Sequence, residues 1–127
     1  MKYLNNYTEE ATTNALNKAG GFFAFSDEQF NRQKKENVKY VSMGMGLICP
    51  KETAKQLMED LQNIIQEGIK TDLKENTKRG VVVRELNNHE AFYTGSIEDT
   101  VDALGNYGIT AKYIQAVYWS EFDKQRN

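Results

Sequence analysis

Most of the polar chemistry of this chain gathers between positions 84 and 93, where Arg84, Glu85, Asn87, Asn88, His89, Glu90 and Tyr93 follow one another closely. They bring a cation, two carboxylates, two amides, an imidazole and a phenol. Asn87-Asn88 stands between Val81–Leu86 and His89–Thr94, two runs that read as strands, and Asn tolerates the positive φ that a two-residue hairpin turn demands. In that register Glu85 faces Glu90, Leu86 faces His89, Arg84 faces Ala91 and Val82 faces Tyr93. Side chains alternate along a strand, so Arg84, His89 and Tyr93 share one face and the two glutamates the other. Carboxylates opposed in this way repel, and one pKa rises, which is the usual preparation for acid–base work or for holding a cation. The register also makes Glu85→Gln and Glu90→Gln neutral or slightly stabilising. The plainer alternative is an exposed polar hairpin tip whose repulsion water screens. The seven residues form a candidate site for a nucleotide or a polar protein contact, with a small carboxylate-dependent hydrolase using Glu85 and Glu90 as the rival.

Other chemistries find little support. One His and one Cys, with no His-Glu-x-x-His, leave only carboxylates for a metal and no closed zinc site, so neither metal nor cofactor is expected. Gly-x-Ser-x-Gly is absent. Gly44-Met45-Gly46 lacks a third glycine and a following Gly-Lys-Ser/Thr, and it reads as a turn or bulge rather than a phosphate loop. Cys49 reads as a small buried hydrophobe, although a thiol before a helix can become nucleophilic. Sixteen Lys and Arg against 18 Asp and Glu argue against general attraction to a nucleic-acid backbone. No apolar run reaches the length of a membrane span, and Met1-Lys2-Tyr3-Leu4-Asn5-Asn6 lacks the apolar core of a signal peptide, so a cytoplasmic protein is expected.

The elements that must position the site follow from periodicity and caps. Ala54, Leu57, Met58, Leu61, Ile64, Ile65, Ile69 and Leu73 recur at steps of three and four, which predicts one long helix from Pro50 to about Asn76, roughly 35–40 Å in length. Gly68 lies on its apolar stripe, and close approach of another backbone would explain it. Before it, Thr8 is expected to cap a first helix closed by Gly20-Gly21. Phe22–Phe25 reads as a strand. Ser26 and Gln29 form a capping box with Phe25 and Phe30 as its hydrophobic staple, and Val38–Val41 and Leu47–Cys49 read as strands. After the hairpin, Ser96 and Thr110 cap two further helices, the second with Ile109 and Ile114 as staple. That pair has the outline of a helix-turn-helix, but Lys112, Tyr113 and Gln115 make a poor reading face, so direct DNA binding is not expected.

Two surface features remain. Between Arg84 and Lys112 stand five acidic residues and no Lys or Arg, which suits a basic partner. Along 111–122, Tyr113, Ile114, Ala116, Val117, Tyr118, Trp119 and Phe122 occupy nearly the whole helix circumference, where a surface helix shows one stripe. A homo-oligomer through this helix is expected.

The successions Gly21-Phe22-Phe23-Ala24-Phe25-Ser26 … Gln29-Phe30, Lys39-Tyr40-Val41 … Gly44-Met45-Gly46-Leu47-Ile48-Cys49-Pro50 and Arg84-Glu85-Leu86-Asn87-Asn88-His89-Glu90 … Tyr93-Thr94-Gly95 resemble small proteins encoded by phages and prophages of Gram-positive bacteria. The resemblance implies a setting: a small phage protein acting by binding, against a host defence protein or a small nucleotide signal in the bacterial cytoplasm. The expected fold is α+β, a single domain over 1–127 with a mixed or antiparallel sheet of about four to five strands packed by the long helix, and a C-terminal helix pair at one end.

Overall fold

The computed structural model describes residues 2–126, and of Arg126 only the backbone; Met1 and Asn127, the outer bounds of the expected domain, lie outside the described residues. The chain forms α1 (Leu4–Ala19), β1 (Phe22–Phe23), α2 (Asp27–Gln33), β2 (Tyr40–Gly44), β3 (Leu47–Pro50), α3 (Lys51–Asn76), α4 (Lys78–Asn88), α5 (Ala91–Thr94), α6 (Glu98–Ala103), a 3-10 turn (Gly105–Tyr107) and α7 (Ala111–Arg126). Two compact units divide it: Leu4–Gly68, and the chain from Ile69 onward together with Lys2 and Tyr3.

In the unit Leu4–Gly68, three antiparallel strands lie in the order β1-β3-β2, with Phe22 opposite Ile48 and Val41 opposite Cys49. A bulge between Ser42 and Gly44 and positive φ at Gly44, Met45 and Gly46 make the expected turn, leaving Met45 94% exposed. Phe22 packs edge-on against Tyr40, and Phe30 of α2 against both. Ser26 caps α2 by accepting the Gln29 N–H, as its sequence predicts. The staple does not form. Phe25 is exposed and stacks on Phe23 across Gly46, because the Phe22–Tyr40 pair occupies Phe30. The first helix begins at Leu4 rather than at Thr8, which is buried within it. The reason lies at Gly68 of α3: a Cβ there would stand 2.5 Å from the Thr8 methyl and 3.2 Å from Leu4, so side chains, not a backbone, make the close approach. Thr53 of α3 ties the end of α1 by donating to the Ala19 carbonyl.

In the other unit, Val81, Val82, Leu86, Ala91, Leu104, Ile109, Ile114, Val117 and Tyr118 form one buried core. Thr110 caps α7 by accepting the Tyr113 N–H, and Ile109 and Ile114 are both buried, as the caps predict. The sheet expectation fails here. No hairpin forms over 81–94: Val81–Asn88 is helical and Ala91–Thr94 is a one-turn helix, so the fold is mostly helical with a three-stranded sheet, not a four-to-five-strand sheet packed by a long helix. The physical cause is the burial pattern. A strand would turn adjacent Val81 and Val82 to opposite faces, whereas both are fully buried between α4's neighbours; with Glu85 and Leu86 they follow the i, i+1, i+4, i+5 spacing of one helix face. Thr77 then caps the helix by accepting the Gly80 N–H. Packing outweighs the modest β preference of three valines.

Candidate functional site

Helix α4 divides the seven predicted residues into two groups. Arg84 and Glu85 face inward and are buried, Asn87 and Asn88 are exposed at its last turn, and His89 forms its half-buried C-cap. Glu90 is exposed with left-handed backbone (φ 55), and Tyr93 is 90% exposed on α5. Glu85 and Glu90 therefore do not oppose each other, and the repulsion expected between them is absent.

The inward group is the centre of a network whose other members the sequence did not single out. Arg84 donates from Nη1 and Nη2 to the two carboxylate oxygens of Asp72 on α3, at 2.7 and 3.0 Å, in the bidentate geometry that a guanidinium fork favours. Its Nε donates to Glu85 Oε1 at 2.9 Å, and Nη1 donates also to the Lys2 carbonyl. The Tyr3 ring lies 5.3 Å from the Arg84 Cζ. Asp72, fully buried, accepts further bonds from Tyr107 Oη and Asn76 Nδ2. Thr100, also fully buried, donates to the Glu85 carbonyl. At the edge, His89 Nε2 stands 3.5 Å from Glu85 Oε2. Among the described residues no buried side-chain nitrogen or oxygen lacks a partner.

The electrostatics follow from this arrangement. Burial pushes the Asp72 carboxyl up, but the bonds from Arg84, Tyr107 and Asn76 more than offset it and hold the carboxyl below its usual range. Burial likewise opposes the Arg84 charge, and Asp72 more than restores it. Burial, then the adjoining Asp72 carboxylate, push the Tyr107 phenol well above its usual range. Asp72 is thus ionised and Tyr107 protonated across the physiological range, and both are spent on each other. Such a cluster fixes geometry, with the Asp72 carboxylate and the Tyr107 hydroxyl both engaged. Among the described residues no three His, Cys, Asp or Glu side chains gather where they could hold a metal.

A signal for Asp72 was present in the sequence. It follows Ile69 by three positions and precedes Leu73, on the apolar stripe of the long helix, and a lone acid there calls for a buried cation. Residues 4–119 match the family of unknown function DUF7659. The chain belongs to DUF7659. No curated protein and no solved structure matches it. For this DUF7659 member the site therefore has to be read from its own geometry, which sets a closed ionic core beneath an open surface of Asn87, Asn88, Glu90 and Tyr93. The helix expected to mediate self-association divides similarly: Ile114, Val117 and Tyr118 of α7 enter the chain's own core, while Trp119 stays 51% exposed. No helix among the described residues is long and apolar enough to cross a membrane.

Proposed function

We propose that this chain is a non-catalytic binding protein that sequesters a partner protein on the surface from Asn87 to Tyr93, and that the partner is a component of bacterial antiviral defence, the setting its phage-like sequence implies. The observation that carries this reading is the presentation of Tyr93. Its ring is 90% exposed on a single helical turn that left-handed residues bound on both sides, Glu90 at φ 55 and Gly95 at φ 77. Beneath it, Ala91 is fully buried and Phe92 stacks on Tyr118 at 5.2 Å. A large aromatic side chain held out on a fixed base is what a contact surface needs, since little entropy is lost when it docks. A non-glycine residue in left-handed backbone costs about 1 kcal/mol or more, and such strain gathers at functional sites. The hydrolase alternative loses support because Glu85 is paired with Arg84.

Capture from bacterial lysate on immobilised protein, run beside Tyr93→Ala, tests the reading. A partner held by the native chain and lost by a Tyr93→Ala variant that melts within about 0.5 kcal/mol of native stability supports it. A partner held equally by both overturns it. Self-association belongs to the same proposal and uses Trp119, the exposed ring of α7, which meets the half-buried Phe122 edge-to-face at 5.6 Å. Light scattering at micromolar concentration should give a mass above the 14.6 kDa of one chain, falling to that value in Trp119→Ser.

A further inference from the structure

Within the unit Leu4–Gly68, the end of α1, β1, the end of α2, the start of β2 and the junction of β3 with α3 line an open hollow of about 610 Å³. That is the size of a small-ligand site. Three kinds of group line it. Lys18 and Lys35 are two lysines of the lining, and neither is in an ion pair among the described residues. Phe22 and Tyr40 bring aromatic rings, 5.5 Å apart and edge-to-face. Asn17 and Gln33 bring amides; Gln33 donates its N–H groups to the Phe23 and Gln29 carbonyls, which holds the side chain in place and leaves its amide oxygen as an acceptor. The Tyr40 hydroxyl accepts the Lys35 N–H at 2.9 Å and keeps its own hydrogen to donate. Glu52 is the one carboxylate of the lining. An adjoining hollow of about 460 Å³ shares Val38, Pro50 and Glu52 with the first and adds Lys39 and Lys51, so the two linings together hold four lysines and one carboxylate residue.

We propose that the first hollow binds a mononucleotide, a flat heterocycle carrying phosphate. The base packs against the Phe22–Tyr40 wall with the Asn17 and Gln33 amides toward its polar edge, and the phosphate meets Lys18, Lys35 and the Tyr40 hydroxyl. Lys39 and Lys51 add to the positive potential at the phosphate end. Phosphate alone leaves the aromatic wall unused, and an uncharged ring leaves the lysines unused. A polymer is disfavoured because the chain as a whole carries a net charge of −2, where a protein that tracks a nucleic-acid backbone is usually strongly basic. This site lies in the unit that does not carry Tyr93, so it stands or falls apart from the proposed protein contact.

Calorimetry on the full chain decides it, with purine and pyrimidine mono-, di- and cyclic nucleotides, inorganic phosphate, adenosine and a short single-stranded oligonucleotide as probes. At least one nucleotide should bind with a submillimolar Kd, at least tenfold tighter than phosphate or adenosine, and more weakly as salt rises. Lys18→Gln and Lys35→Gln should each weaken it by roughly tenfold, the loss of one charge-assisted hydrogen bond. Both lysines are exposed, so both variants should melt like the native chain. Tyr93→Ala should bind as the native chain does. Absence of any nucleotide binding, undiminished affinity in the double lysine variant, phosphate or adenosine binding as tightly as the best nucleotide, or an oligonucleotide binding tighter than every mononucleotide would each overturn the assignment.

Discussion

From Ile69 onward ten apolar side chains are buried among the described residues, from Ile69 itself to Tyr118, and they surround a closed ionic network; in Leu4–Gly68 the buried apolar side chains are Cys49 and Leu57. The exposed large apolar residues run the other way, with Phe23, Phe25, Val38, Met45, Met58 and Ile65 in the smaller core and Tyr3, Tyr93 and Trp119 in the larger. One unit has enough apolar burial to carry a desolvated Arg–Asp pair, which by itself adds little net stability. The other spends its surface on turns, rings and hollows. A fixed base for one presented side chain and a surface hollow lined by aromatic and basic residues are different designs, and the proposed roles divide along the same line.

The largest expected effect is at Arg84. Arg84→Ala leaves Asp72 buried and without its cation, which should cost about 3–5 kcal/mol. Thermal melts should report it, and amide exchange should show protection lost in α4, α6 and α7. A loss under about 1 kcal/mol would mean that the network is wetter than its geometry and would remove half of the contrast between the units.

Acid should find the same network. The Asp72 carboxyl is depressed in the folded state, so its contribution is complete above the ordinary value of 3.8 and is lost as pH falls through the lower folded value. Melting temperature followed downward from pH 5 should drop in that window more for the native chain than for Asp72→Asn, which begins less stable and flatter.

At Glu85 the helix reverses the sign that the hairpin register implies. Glu85→Gln removes the charge that Arg84 Nε and Nη2 meet at 2.9 Å, and should cost about 1–3 kcal/mol, whereas Glu90→Gln on the exposed turn should be near neutral. Equal melts for the two variants would break this reading.

In the smaller core the expected effect is finer. Gly68→Ala gains about 1 kcal/mol of helix propensity but sets a methyl 2.5 Å from the stiff, buried Thr8 Cγ2, and overpacking of about 1–3 kcal/mol should leave it destabilised. Thr8→Ser in the same chain removes that methyl and should recover most of the loss. Without recovery, α1 and α3 are not held by this contact.

Legibility in the sequence follows how local the cause is. Ser26, Gly44-Met45-Gly46, Thr110 and the Lys51–Asn76 periodicity act within a few residues, and each element stands where its signal put it. The hairpin misled because Val81-Val82-Val83 and Asn87-Asn88 are local signals for a strand pair, while the deciding contacts come from α6 and α7, beyond residue 97. The same distance hid the network: Asp72, Arg84, Thr100 and Tyr107 lie on four different elements or turns, and no spacing rule joins them. What remained readable was Asp72, one acid on a helix stripe that was otherwise apolar.

The bond from Arg84 to the Lys2 carbonyl joins residues 82 positions apart. During synthesis Lys2 leaves the ribosome long before its partner exists. At about 5–20 residues per second the wait is roughly 4–16 s, during which all of Leu4–Gly68 has been made and its local strand and helix pairs can close. Until Arg84 has emerged, the Lys2 carbonyl lacks this partner. A bulky tag fused directly ahead of Lys2 therefore stands beside a bond that belongs to the core from Ile69 onward.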